Sequence, residues 1–117
     1  MDQILVPCKA IVAAITSDAY LSTRISSNES IGWEMEENIK LAHERADAMQ
    51  INVLNPAQYQ VPGWRNDEYM TMWRVVIRLM GALGKPMISF KEDIPWSSGC
   101  TEEVDIAQKI GMKLIQI

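Results

Sequence analysis

Short apolar runs rich in β-branched residues alternate with stretches of helical spacing, and that alternation constrains the fold more than any other feature of the sequence. Lys9–Ile15 (KAIVAAI) is continuously apolar, as a strand buried on both faces should be. Ile51–Leu54, stopped by Asn55-Pro56, Pro86–Lys91 (PMISFK) and Lys113–Ile117 (KLIQI) supply three further strands. Glu29–Met49 lies between the first two. Its apolar positions Ile31, Met35, Ile39, Ala42, Ala46 and Met49 recur every three or four residues, which predicts a helix with one charged face. A second helix is predicted from Asn66, a capping residue followed by Asp67 and Glu68, to about Leu83, just before Gly84. A third is predicted over Gly99–Ile110, ended by Gly111. The order β-α-β-α-β-α-β implies an α/β fold, with helices on both faces of a small, mainly parallel sheet joined by right-handed crossovers. A chain of 117 residues fits one domain, spanning positions 1–117.

In such a sheet, ligands bind in the crevice beyond the carboxyl ends of the strands. The loops there are Thr16–Ser30, Asn55–Arg65 and Lys91–Ser98, the longest irregular stretches and the richest in polar groups. A net charge of −4 argues against a nucleic-acid polymer or an anionic membrane surface as partner, while leaving room for a small phosphorylated ligand. The first residues, MDQILVPCKAIVAAI, carry an acid and no basic segment, unlike a signal peptide, and no run has the length of a membrane span. A cytoplasmic protein is the expectation. Cys8 and Cys100 are far apart and read as reduced thiols, and His43 is the single histidine. Neither a metal nor a cofactor is expected. The predicted helix 66–83 is apolar nearly all round, which points to a homo-oligomer packing through it, unless the long loops cover it instead.

The segment SSGCTEEVDIAQKIG concentrates the chemistry. On a helix starting near Gly99, positions Cys100, Val104, Ala107 and Ile110 form the face that packs on the sheet. Glu102, Asp105, Gln108 and Lys109 face water. Glu103 shares the buried face through its spacing to Ala107 and Ile110, and a carboxylate buried there must be satisfied or functional. It also lies in the first turn of the helix, where free N–H groups carry partial positive charge. The hydroxyls of Ser97 and Ser98 and the bare backbone of Gly99 beside those amides suit an anion such as phosphate. The plain alternative is an acidic first turn, with Glu102 closing a capping box and Glu103 complementing the dipole.

Ser97, Gly99, Glu103 and Ala107 stand in register with a pattern of polar residue, spacer, glycine, three spacers, glutamate, three spacers and alanine. In this the segment resembles the nucleoside 2-deoxyribosyltransferase-like superfamily. Small bacterial and phage members share the approach Trp96-Ser97-Ser98-Gly99 and an NPA after the second strand, here Asn55-Pro56-Ala57. The resemblance implies a flavodoxin-like three-layer sandwich. It also implies that Glu103 is the nucleophile in cleavage of an N-glycosidic bond, through a covalent glycosyl-enzyme and an oxocarbenium-like transition state. Family members acting on nucleosides carry aspartate at the place of Ser97, and those hydrolysing nucleoside 5′-monophosphates carry serine; a serine hydroxyl donates to a phosphate that an aspartate would repel. Ser97, with Ser98, Gly99 and Cys100, is thus the implied phosphate seat, Arg24 in the first loop the implied cation, and Asn55 a further candidate substrate contact. Asp67 is the candidate general acid, with Asp93 as the alternative. Tyr20, Trp64 and Trp96 are candidates to stack on the base. The first loop departs from the family in lacking glycine. Two other readings therefore stand beside the hydrolase: a nucleoside deoxyribosyltransferase, and a catalytically weak protein of the same fold that senses or sequesters a nucleotide. A ligand-free interaction protein of this fold is a more distant alternative.

Overall fold

Residues Lys9–Ile15, expected as the first strand, are helical. The computed structural model describes residues 1–117 and places them in helix α1, Asp2–Thr16. A continuously apolar run has no period of its own, so strand and buried helix read alike until packing decides. Here Ala10 and Ala14, one helical turn apart, are fully buried against the rest of the core. Lys85 closes the far end of α1, its Nζ donating to the carbonyl of Ala14 at 3.0 Å.

The first strand, β1, is instead Ala19–Leu21, inside the expected loop. The remaining elements follow the predicted order with shifted ends. Helix α2 is Met35–Ala48, strand β2 Val53–Leu54, helix α3 Asn66–Ala82, strand β3 Met87–Ser89, helix α4 Ser98–Lys109 and strand β4 Leu114–Gln116. The start of α2 falls later than its apolar spacing suggests. Glu29–Ile31 form a separate 3-10 turn, and Gly32 follows in the left-handed conformation at φ 77°, which breaks the helix before Met35.

All four strands are parallel, in the order β2-β1-β3-β4, so the fold is α/β and flavodoxin-like. Tyr20 lies opposite Leu54 on one side and Met87 on the other, and Leu21 lies opposite Ile88. Alternation along β1 sends Tyr20 to one face and Ala19 and Leu21 to the other. On the Tyr20 face, α1, α3 and α4 enclose the main core with Leu54, Trp73, Val76, Ile77, Met80 and Met87. Each such large side chain contributes about 1.5–3 kcal/mol by leaving water. On the opposite face, Ala46 and Met49 of the α2 region cover Ala19, Leu21 and Ile88.

The apolar girth of α3 has its explanation within the chain. One side packs on the sheet and α4, and α1 covers another. Part of the pattern that suggests a second copy through residues 66–83 is thus covered by α1, while Val75 and Leu83 stay exposed.

Candidate functional site

The strand order reverses between β1 and β3, and the loops leaving their carboxyl ends enclose a cavity of about 470 Å³. Thr23–Asn28 minus Arg24 form one wall, Pro95–Cys100 a second, and Pro56, Gln60 and the start of α3 a third. Glu103 lies at its inner end, in the second turn of α4 and not the first as expected, because the helix starts at Ser98 with Ser97 as its cap.

Glu103 is buried, as its place on the apolar stripe requires. It is held from β1: the Tyr20 hydroxyl donates to Oε2, and Ser22 Oγ donates to Oε1 at 2.9 Å. Tyr20 and Ser22 can do this together because residues two apart on a strand share a face. Burial raises the carboxyl to about 7, against the lowering effect of these two hydrogen bonds. Burial, and then the charge of Glu103, in turn lift the Tyr20 hydroxyl well above its ordinary range. The Cys100 thiol, beside them, is pushed up to about 12, mainly by burial. On the same face of the sheet, Ser89 follows Ile88 as Ser22 follows Leu21, and its buried Oγ has no hydrogen-bond partner.

Ser97 caps α4, its Oγ accepting from the N–H of Cys100 at 3.2 Å. The N–H groups of Ser98 and Gly99 donate to no oxygen of the chain and stand at the positive end of the helix. Ser97, Ser98, Gly99 and Cys100 all line the cavity, as does the half-exposed Trp96. These four and Glu103 are therefore brought together, with Trp96 at the rim.

Other expected residues lie elsewhere. Arg24 is outside the lining: its Nη1 donates to Asp93 Oδ1 at 2.9 Å, its Nε to Asn38 Oδ1 at 3.0 Å, and its guanidinium rests on the Trp33 ring. Its neighbour Asp93 is fully buried and also accepts from Arg45 Nη1 at 2.7 Å and from the backbone N–H of Arg24 at 3.1 Å. Both carboxylate oxygens of this alternative acid are thus engaged by arginines, and Asp93 does not line the cavity. Asp67 is exposed beside Arg65, away from the cavity. Asn55 is buried as a cap, its Oδ1 accepting from the Ala57 N–H at 3.1 Å. Tyr20 is enclosed edge-on to Trp73 and reaches the site through its hydroxyl, with no ring face free to stack. Trp64 packs edge-on against Tyr69, outside this cavity.

Ser22, Trp33 and Trp73 were not read as site residues. The period-two relation between Tyr20 and Ser22 was the signal for Ser22, and it was lost with the misplaced strand. Trp73 sits in the buried stripe of α3, and nothing local marks it as lining a cavity. No three His, Cys, Asp or Glu side chains converge as metal ligands would, and no helix is long and apolar enough to cross a membrane. Comparison with family models, curated proteins and solved structures yields no match to this chain.

Proposed function

We propose that the protein cleaves the N-glycosidic bond of a nucleoside 5′-monophosphate, with Glu103 as the group that meets the anomeric carbon. The observation that carries this reading is a buried carboxyl at the inner end of a cavity, fixed on both oxygens by Tyr20 and Ser22. A carboxylate oriented before substrate arrives can attack the anomeric carbon or stabilise its developing positive charge without reorganising. The free N–H groups of Ser98 and Gly99, with the Ser97 and Ser98 hydroxyls, supply donors at a helix terminus for the 5′-phosphate. The motif Ser97-x-Gly99-x-x-x-Glu103 agrees with the resemblance to the nucleoside 2-deoxyribosyltransferase-like superfamily. Trp96 and Trp73 offer aromatic surface for the base.

The test is incubation with ribo- and deoxyribonucleoside 5′-monophosphates and the matching nucleosides, followed by chromatography for free base. Base release that disappears in Glu103→Gln, with the variant folded, is the expected result. Full activity in that variant, or no release from any substrate, would overturn the proposal.

A further inference from the structure

The reading of Glu103 as the group at the anomeric carbon raises the question of which base can leave from this site. Among the side chains lining the cavity, Glu103 carries the only formal charge. Four aromatic residues, Trp33, Tyr69, Trp73 and Trp96, line the same cavity. A carboxylate among electron-rich rings attracts a cation, and Trp33 already carries the Arg24 guanidinium 4.3 Å from its ring centroid.

A neutral base leaves readily only if its nitrogen receives a proton as the bond breaks. Each nearby acid is committed elsewhere. The Tyr20 hydroxyl is given to Glu103, and burial holds its proton tightly. The Tyr69 hydroxyl donates to the Val61 carbonyl at 2.8 Å and accepts from the Val61 N–H at 2.7 Å. Asp93 is locked between Arg24 and Arg45, and Asp67 lies outside the cavity. The Cys100 thiol is pushed up to about 12 by burial. Glu103 cannot attack as a carboxylate and donate a proton in the same step.

We infer that the substrate is an N-glycoside whose base is itself a cation, either a pyridinium or an N7-alkylated purine attached to the sugar. The base then needs no proton. The C1′–N bond breaks with its electron pair moving to the base, which leaves neutral. Glu103 forms a bond to C1′, and water replaces it, its oxygen forming the C1′–OH bond and its proton passing to solvent. Atoms and charge balance with water as the only co-reactant.

The experiment compares matched substrates on the full chain: 7-methylguanosine 5′-monophosphate against guanosine 5′-monophosphate, and nicotinamide mononucleotide against uridine 5′-monophosphate. Base release is measured by chromatography, net of the uncatalysed rate. General acid help to a leaving group is worth roughly 100-fold or more, so kcat/KM for the cationic member of at least one pair should exceed its neutral partner by about that factor. Selectivity in the first pair alone assigns the alkylated-purine class, and in the second alone the pyridinium class. A smaller ratio in both pairs, with base still released, overturns this inference and leaves Glu103 as the cleaving group. Release from none of the four overturns this inference, and the wider panel of nucleotides and nucleosides then decides the reading of Glu103.

Discussion

Arg45 and Asp93 form a buried ion pair between α2 and the loop after β3, with Arg45 Nη1 donating to Asp93 Oδ2 at 2.7 Å. The same carboxylate accepts from the Arg24 side chain and backbone, so one residue ties together two of the loops that wall the cavity. Asp93→Ala leaves two guanidiniums with only the mostly exposed Glu92 as countercharge. Breaking such a pair from one side costs about 3–5 kcal/mol. Glu92 touches the same arginines but is mostly exposed, and Glu92→Ala should cost about 1 kcal/mol or less. Urea unfolding of the two variants separates these outcomes; similar losses in both would mean that the buried pair is not the brace.

Glu103 links stability to pH. Its carboxyl rises from 4.5 to about 7 on folding, so between those values the folded protein keeps a proton that the unfolded chain releases. The stability this confers is complete below 4.5 and is lost as pH rises through 7, amounting to roughly 3 kcal/mol. Glu103→Gln removes the ionisation. The variant should match the parent near pH 4.5 and be more stable by about 2–3 kcal/mol at pH 8. Urea midpoints at the two pH values measure the difference, and a constant gap would argue against a buried charge as its source.

Tyr20→Phe keeps the ring against Trp73 and removes the donor to Glu103. That hydrogen bond favours the charged carboxylate, so its loss should lift the Glu103 titration further. Hydrogen bonds to charged groups are worth about 1.5–3 kcal/mol, or roughly one to two pH units. The rising limb of base release against pH should move up by that amount. An unmoved limb would show that Tyr20 does not set the ionisation of Glu103.

Ser97 caps α4 and is the proposed phosphate seat, and substitutions can separate the two. Ser97→Ala removes the α4 cap and should cost about 1 kcal/mol. Ser97→Asp keeps a capping oxygen while adding negative charge where the phosphate is proposed to sit. Stability should then hold, while kcat/KM for 5′-monophosphates falls at least about tenfold relative to nucleosides, the ratio that 1.4 kcal/mol of repulsion gives. An unchanged ratio in a stable Ser97→Asp protein would rule out the phosphate seat.

The sequence reading succeeded where period and punctuation agree. Helices α3 and α4 were legible because their apolar stripes run from polar residues to a glycine, although Asn66, the expected cap, is the first residue of α3 and Arg65 holds the cap position. Glu103 was legible because a charge on such a stripe conflicts with burial. Lys9–Ile15 was misread because continuous apolarity suits a strand and a buried helix equally. Strand β1 was missed because three residues flanked by Asp18, Ser22 and Thr23 show no alternation long enough to detect, although all three are fully buried at the centre of the sheet. Arg24 could not be assigned from its loop, since its partners Asp93, Asn38 and Trp33 meet it only through tertiary packing.

The placement of α1 bears on how the molecule comes together. Its main packing partner is α3, and all of β1, α2 and β2 lies between them in the chain. Strand β1 likewise needs both β2 and β3 beside it. During synthesis, therefore, the opening helix lacks α3 and the central strand lacks β3 until the second half has been made. The slow event in folding should be the joining of the two halves, with the early segment keeping its apolar side exposed until α3 arrives.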